Sequence, residues 1–308
     1  MSEITELPKK RLRSLRQNPV TMKELRSRMR GRRAFVVLTV YLIAMSVFVT
    51  LIYAAYAAAA NDPYGSADSR QAGKAVFGGV LTIQTFMVIF VGPSFTVGAI
   101  SGEKERQTYD LLRTTLLSAK TLVTGKLISA LSYVFLLIMA SIPLQSIAFL
   151  LGGVAVEELI VSQLVILVGA VTFALWGLYC SSVMRSTQAA SVATFAGILF
   201  MIAGIPMLVL LFSLFASPIM AGMSVSWVGD VILLYLGIIL AATNLPATLI
   251  VSDVILQQED AVFFFQSTAS GHIFWYPSPW PIFLLLYSLL ALLFYSLSVR
   301  RVRRIAEK

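Results

Sequence analysis

VFGGVLTIQTFMVIFVGPSFTVGAI (76–100), SGEKERQTYDLLRTTLLSAKTLVTGK (101–126) and LISALSYVFLLIMASIPLQSIAFLL (127–151) follow one another along the chain. The two outer runs are each longer than the ~20 apolar residues that a helix needs to cross a bilayer. The middle segment is charged, short and capable of forming a helix. The pattern therefore predicts two membrane spans joined by a loop at which a membrane protein could meet a soluble partner.

The composition extends this interpretation to the whole chain. It is 58% hydrophobic and 13% charged with a mean hydropathy of +0.84, so much of it is expected to lie in lipid. Cys180 is the only cysteine, which excludes an internal disulfide and a cysteine-based metal site. We predict an all-α integral membrane protein with a basic arm (1–33), a transmembrane domain (34–299) and a basic tail (300–308). The predicted spans lie near 34–60, 76–100, 127–151, 159–183, 190–216 and 280–298.

The distribution of lysine and arginine predicts the orientation. Residues 1–33 hold 11 of these side chains, 101–126 and 300–308 hold 5 each, and Arg185 adds one, so 22 of the 24 lie on one side of the six predicted spans. The positive-inside rule then places both termini and the 101–126 loop in the cytoplasm of a cell-membrane protein.

Residues 231–256 are apolar enough for a seventh span, but a full crossing would reverse the side of the C-terminal arginines. Asn244 and Pro246 lie at the centre of this run, in a combination that favours a break in a helix. We therefore predict a re-entrant helical hairpin that turns at Asn244 and Pro246 and lies before the last span. An ordinary seventh helix is the alternative.

The basic arm is predicted to contain an amphipathic helix. Pro19 suits the first turn of a helix, and Met22, Leu25 and Met29 recur at helical spacing among basic side chains. Such a helix would lie on the inner leaflet, held by apolar burial and anionic lipid. It could act as a simple topology anchor or have a mechanical role, and no nucleic-acid-binding fold accompanies the charge.

The 101–126 segment resembles the sequence that follows the second span in permease subunits of ABC-2 class ATP-binding cassette transporters. The shared pattern is Ser-Gly-Glu-Lys-Glu at 101–105, a threonine at 108, Leu-Leu at 111–112, Thr-x-Leu-Ser at 115–118 and Gly-Lys at 125–126. Gln107 replaces the usual glycine and Leu116 the usual proline. The six spans, the predicted hairpin and Asn18-Pro19-Val20 are also similar to features of that family.

This resemblance implies a permease half that dimerises with a second copy or a paralogue and exports its substrate. Two copies of a separate cytoplasmic ATPase, carrying ATP and Mg²⁺, would drive it. The chain itself has no Gly-x-x-x-x-Gly-Lys-Ser/Thr phosphate loop, so no cofactor and no enzyme activity are expected in it. The resemblance implies a coupling helix that docks to the ATPase, formed by Gly102, Glu103, Lys104, Glu105, Thr108, Tyr109 and Leu112.

Three other classes of protein are alternatives to a permease. An ion-coupled transporter or channel usually keeps ionisable side chains within its spans, and the predicted spans have none away from their ends. An intramembrane enzyme lacks support because His272 is the only histidine and paired carboxylates are missing from the spans. A membrane scaffold without transport activity is the third alternative. An uncharged pathway would suit an amphiphilic, drug-like or lipid-linked substrate.

Overall fold

The computed structural model describes residues 32–60, 68–107, 118–220, 227–259, 262–269 and 272–306. Six helices in these ranges are long and apolar enough to cross a membrane, which makes this an α-helical multi-pass membrane protein. The helices are α1 (Arg32–Ala60), α2 (Ser69–Val97), α3 (Ser101–Glu105), α4 (Ala119–Leu150), α5 (Val156–Val183), α6 (Thr187–Leu199), α7 (Ile205–Met220), α8 (Trp227–Ala242), α9 (Leu245–Glu259) and α10 (Pro279–Ala306). A π-helical turn, Phe200–Gly204, joins α6 to α7 into one long element.

Short polar side chains begin several of these helices. Asp68 accepts a hydrogen bond from the Arg70 N–H (2.9 Å) at the start of α2, and Ser118 accepts one from the Thr121 N–H (3.2 Å) at α4. Each satisfies one of the backbone donors that a helix leaves free at its N-terminus. The polar connections between the apolar runs therefore determine where the helices start.

The core lies where α2, α4, α5 and α10 pack together. Val80, Ile166, Ala170 and Phe283 are fully buried within it. Gly177 allows the close approach of α5 to α2, since a Cβ atom there would lie 2.5 Å from Thr96 Oγ1. Small residues at such contacts are the usual means of bringing two membrane helices together.

A ring of three glutamine side chains crosses this core. The Gln145 Nε2 donates to Gln84 Oε1 (2.8 Å), the Gln84 Nε2 donates to Gln163 Oε1 (2.9 Å), and the Gln163 Nε2 donates to Gln145 Oε1 (3.0 Å). Gln84 and Gln145 are almost completely buried. Because each amide both donates and accepts, the ring joins α2, α4 and α5 without leaving a buried polar group unsatisfied.

The long helices alternate in direction. At one end of the molecule Ile100, Val123, Leu178 and Val302 form a second apolar cluster. Ile100 lies in the turn after α2, and the other three lie near the beginning of α4 and near the ends of α5 and α10. The last helix therefore ends on the same side as the second, as the charge distribution requires.

Helices α8 and α9 form a pair that is broken at Thr243 and Asn244. The Asn244 Nδ2 donates to the carbonyl oxygens of Met201 (3.0 Å) and Ile202 (2.9 Å), and Tyr287 Oη donates to the Thr243 carbonyl (2.9 Å). Asn244 Oδ1 also accepts from the Ala247 N–H (3.1 Å), which begins α9. The break therefore lies beside the middle of the α6–α7 element and beside the first half of α10.

Several helices extend beyond the predicted membrane spans. Helices α2 and α4 begin at Ser69 and Ala119, earlier than the predicted spans, and α10 continues to Ala306, so most of the predicted 300–308 tail is helical. Polar side chains are compatible with a helix that extends beyond the lipid, so hydropathy alone underestimates helix length.

A two-stranded β-hairpin, which was not predicted, accompanies the helices in the described residues. Strands β1 (Phe264–Ala269) and β2 (His272–Pro277) pair antiparallel, with Phe265 opposite Tyr276. Aromatic residues on both sides of the Ser270-Gly271 pair in the sequence favour such a hairpin. The predicted interface helix, with Pro19, Met22, Leu25 and Met29, lies outside the described residues.

Candidate functional site

The Ser101–Glu105 motif forms the short helix α3, directly after the turn that ends α2. The Ile100 and Ser101 N–H groups both donate to Ser181 Oγ at 3.0 Å. Ser101 Oγ lies 3.2 Å from Ser181 Oγ, and both residues are completely buried. The start of α3 is therefore attached to the end of α5, about eighty residues further along the chain.

Glu103 attaches α3 to α4. Its Oε1 accepts a hydrogen bond from Lys126 Nζ at 2.6 Å, which is also an ion pair. The Lys126 side chain is 3% exposed and that of Glu103 is 25% exposed. An ammonium group buried to this extent needs its carboxylate, because a buried unpaired charge is strongly unfavourable.

Lys104 and Glu105 hold the turn between α5 and α6. Lys104 Nζ donates to the carbonyl oxygens of Ser182 (2.6 Å) and Met184 (3.1 Å), where α5 ends. The Glu105 carboxylate accepts from the Thr187 N–H (2.9 Å) and from Thr187 Oγ1 (2.7 Å), where α6 begins. A cation at a helix C-terminus and an anion at a helix N-terminus are both electrostatically favourable.

These contacts make one assembly, which we call the clamp: Ser101–Glu105 together with Lys126, Ser181–Met184 and Thr187. Gly102 is part of it, and a Cβ atom there would lie 3.7 Å from Thr187 Oγ1, in ordinary contact. The motif charges that were predicted to face a partner are bound within the chain. The clamp thus connects α2, α4, α5 and α6 at one end of the molecule.

A residue with left-handed backbone geometry lies two positions after Glu105 of the clamp. Gln107 has φ = 55°, and it is the only non-glycine residue with positive φ in the described ranges. This is the position at which glycine is usual in the sequences that the segment resembles, and glycine adopts this geometry without steric cost. The remaining predicted docking residues, Thr108, Tyr109 and Leu112, lie outside the described residues.

A second feature is an apolar groove with a volume of about 640 Å³, bordered by α2, α6 with its π-helical turn, and α9. The α2 wall runs from Phe77 to Phe90, and Phe195 and Leu249 lie on the other walls. Pro246, one of the two predicted turn residues, also lines the groove, whereas Asn244 holds the break itself.

Two acidic side chains lie at one end of the groove. Glu158 and Asp253 line a small cavity of about 10 Å³, space for about one water molecule, and this cavity shares Asp253, Phe77, Leu81 and Leu249 with the groove. Glu158 is 6% exposed. Asp253 is half-buried, and nothing in the sequence indicates the burial of Glu158.

The residues that sequence reasoning missed are mostly ordinary in type. Ser181 and Thr187 show no motif, and Glu158 looks like an exposed residue in the first turn of a helix. Only the fold brings them to the clamp and to the cavity. The chain matches no protein-family model and no curated protein.

Proposed function

We propose that this chain is the permease subunit of an ABC-2 class transporter that exports an amphiphilic substrate. ATP and Mg²⁺ would be bound by two copies of a separate cytoplasmic ATPase. The observation that carries the proposal is the clamp: the segment with the family-like sequence is also the segment that joins four helices at one end of the molecule. A force applied to the adjoining 106–117 segment would reach α2, α4, α5 and α6 together.

Charge supports a cytoplasmic location for the clamp end and for both termini. Lys104, Arg106, Arg185 and Arg301 belong to this end, whereas Lys74 lies at the other end beside Gln257. Cytoplasmic ends of membrane helices carry such an excess of basic residues.

The proposal treats α8 and α9 as a re-entrant hairpin. Supporting contacts lie at the break, where Asn244 binds backbone oxygens near the middle of the α6–α7 element. Non-helical backbone at membrane depth is tolerated where protein groups satisfy it. Neither helix, at 16 and 15 residues, reaches the length of a usual span.

A second permease copy or a paralogue, and membrane lipid along the basic arm, complete the proposed assembly. Both follow from the family resemblance and from the amphipathic pattern of Pro19, Met22, Leu25 and Met29. Nucleic acid is not among the proposed partners.

The test must separate partner binding from folding of the clamp. Arg106 is exposed next to the clamp, so Arg106→Glu is the informative variant, and Arg70→Glu makes the same charge change on an exposed residue at the opposite end. Tagged protein is purified from the native host in mild detergent, and the co-purified ATPase activity is measured. We expect a stoichiometric ATPase that Arg106→Glu reduces at least tenfold and Arg70→Glu leaves unchanged. A preparation from native membranes without ATPase would refute the proposal.

Ion-coupled transport is the second candidate, because Glu158 and Asp253 are acidic groups within apolar helices. Buried acidic groups in membrane helices often belong to proton pathways. Substrate movement driven by a pH gradient in proteoliposomes that contain this chain alone would favour that function. Movement only with the ATPase and ATP would favour the permease.

A further inference from the structure

We infer that the groove is a binding site for a cationic amphiphile, with its positive group at Glu158 and Asp253 and its apolar body along α2, α6 and α9. The groove has the volume and the apolar lining that are typical of small-molecule sites. Among its lining residues the charge lies at one end only, at Asp253, which suits a ligand with a single charged end.

The walls fit an apolar chain with a cationic end. The α2 wall from Phe77 to Phe90 is about 20 Å long, somewhat more than the ~15 Å that one leaflet of the hydrocarbon core provides. Phe86, Phe90 and Phe195 supply aromatic surface along it. Thr82 and Thr85 are the only hydroxyl-bearing residues among its described lining, and Thr82 Oγ1 already donates to the Gly78 carbonyl.

The two acidic side chains at the end of the groove are not fully paired with neighbouring groups among the described residues. Glu158 Oε2 and Asp253 Oδ1 are buried and have no hydrogen-bond partner among the described residues. Asp253 Oδ2 accepts from Gln257 Nε2 (2.7 Å), and Gln257 Oε1 accepts from Lys74 Nζ (2.8 Å), so the nearby lysine is engaged with the amide. When both acids are ionised, their combined negative charge exceeds the charge of the one lysine by one. Because a buried charge needs a partner, a ligand ammonium group is the complement.

Binding of a ligand in the groove does not require an ATPase. The role of the groove as the export site, by contrast, rests on the proposed function. The two can therefore fail separately. Binding is measured on the full chain without a partner, and coupling to ATP is measured only in the assembly.

The binding experiment compares two probes of equal chain length. Radiolabelled dodecylammonium, which carries N–H donors, and neutral dodecanol are titrated onto the chain in phosphatidylcholine nanodiscs, with empty nanodiscs as background. We expect saturable binding of the cation that is at least tenfold tighter than that of the alcohol. Glu158→Gln and Asp253→Asn should each weaken cation binding tenfold or more and leave dodecanol binding unchanged.

A pair of glycine variants tests the groove itself. A Cβ atom at Gly78, on the α2 wall, meets nothing within 4 Å, and the same holds at Gly237 on α8, away from the groove. Gly78→Phe should therefore weaken binding of both probes, and Gly237→Phe should change neither. Equal binding of the two probes, no saturable binding above empty nanodiscs, or indifference to Glu158→Gln, Asp253→Asn and Gly78→Phe would each overturn the inference.

Discussion

The buried ion pair between Glu103 and Lys126 provides the sharpest test of the clamp. Lys126 Nζ lies 2.6 Å from Glu103 Oε1, and the lysine is 2% exposed. Glu103→Gln removes the compensating charge and leaves the ammonium group buried, which should lower the free energy of unfolding by about 3–5 kcal/mol. Lys126→Met leaves the Glu103 carboxylate on a side chain that is 25% exposed, so we expect a smaller loss of about 1–3 kcal/mol.

The double variant decides between a specific pair and two independent contacts. Glu103→Gln with Lys126→Met removes both charges while keeping side-chain volume, so the combined loss should stay below about 1.5 kcal/mol. If the two contacts were independent, the two single losses would add up to about 4–8 kcal/mol. The difference between this sum and the loss of the double variant is the coupling energy of the pair.

Thermal unfolding in detergent, followed by the loss of the monodisperse fraction, gives the readout. At about 2–4 °C per kcal/mol for a large domain, Glu103→Gln should lower Tm by about 6–20 °C, and the double variant should recover most of this. Lys120→Met is the matched control, since Lys120 is an exposed lysine in the first turn of the same helix. A double variant as unstable as the sum of the single variants would show that the pair does not hold the clamp.

Three further predictions concern other parts of the fold, all measured as Tm in detergent. Gln107→Val should lower the free energy of unfolding by about 1–2 kcal/mol, because a β-branched side chain opposes the left-handed geometry. Gln107→Gly should cause no loss, and equal effects of the two variants would contradict this reasoning. Asn244→Leu should cost about 2–4 kcal/mol by removing three hydrogen bonds. Asn244→Asp should also destabilise the protein, because it replaces the donor to two carbonyl oxygens by an acceptor. A wild-type Tm for Asn244→Asp would exclude a stabilising role for these two donated hydrogen bonds. Gln145→Leu should cost about 1–3 kcal/mol because it breaks two hydrogen bonds of the glutamine ring. Simultaneous replacement of Gln84, Gln145 and Gln163 by leucine should cost less than the sum of the three single losses. Strictly additive losses would argue against a ring.

The spans and the break at Asn244 could be predicted from the sequence because their signals are local. A long apolar run forms a membrane helix in almost any context, and asparagine near a proline interrupts one. The β-hairpin at 264–277 could have been predicted from the aromatic residues on both sides of Ser-Gly. It was not, because most of the chain consists of apolar runs that favour helices. The membrane-surface helix around Met22 and Leu25 stays a prediction.

The contacts of the clamp could not be predicted, since their partners are distant in sequence and common in type. The motif showed charges at Glu103 and Glu105, and charges in a loop between spans are typical of an exposed surface. In the structure Lys126 and Thr187 bind them instead. The burial of Glu158 could not be predicted either. Two adjacent acids in the first turn stabilise a helix N-terminus whether that turn is buried or exposed, so their presence does not indicate burial.

The clamp and the groove are connected by the helices that they share. Helix α2 lines the groove with Phe77–Phe90 and ends at the clamp, and α6 begins at the clamp with Thr187 and lines the groove with Phe195. Helix α5 carries Glu158 near its start and is bound by the clamp at Ser181. A movement that separates α6 from α2 at the clamp therefore changes the width of the groove. Force at one end of the molecule and ligand affinity at the groove should consequently be coupled, which is the property that a transporter driven from outside its own chain requires.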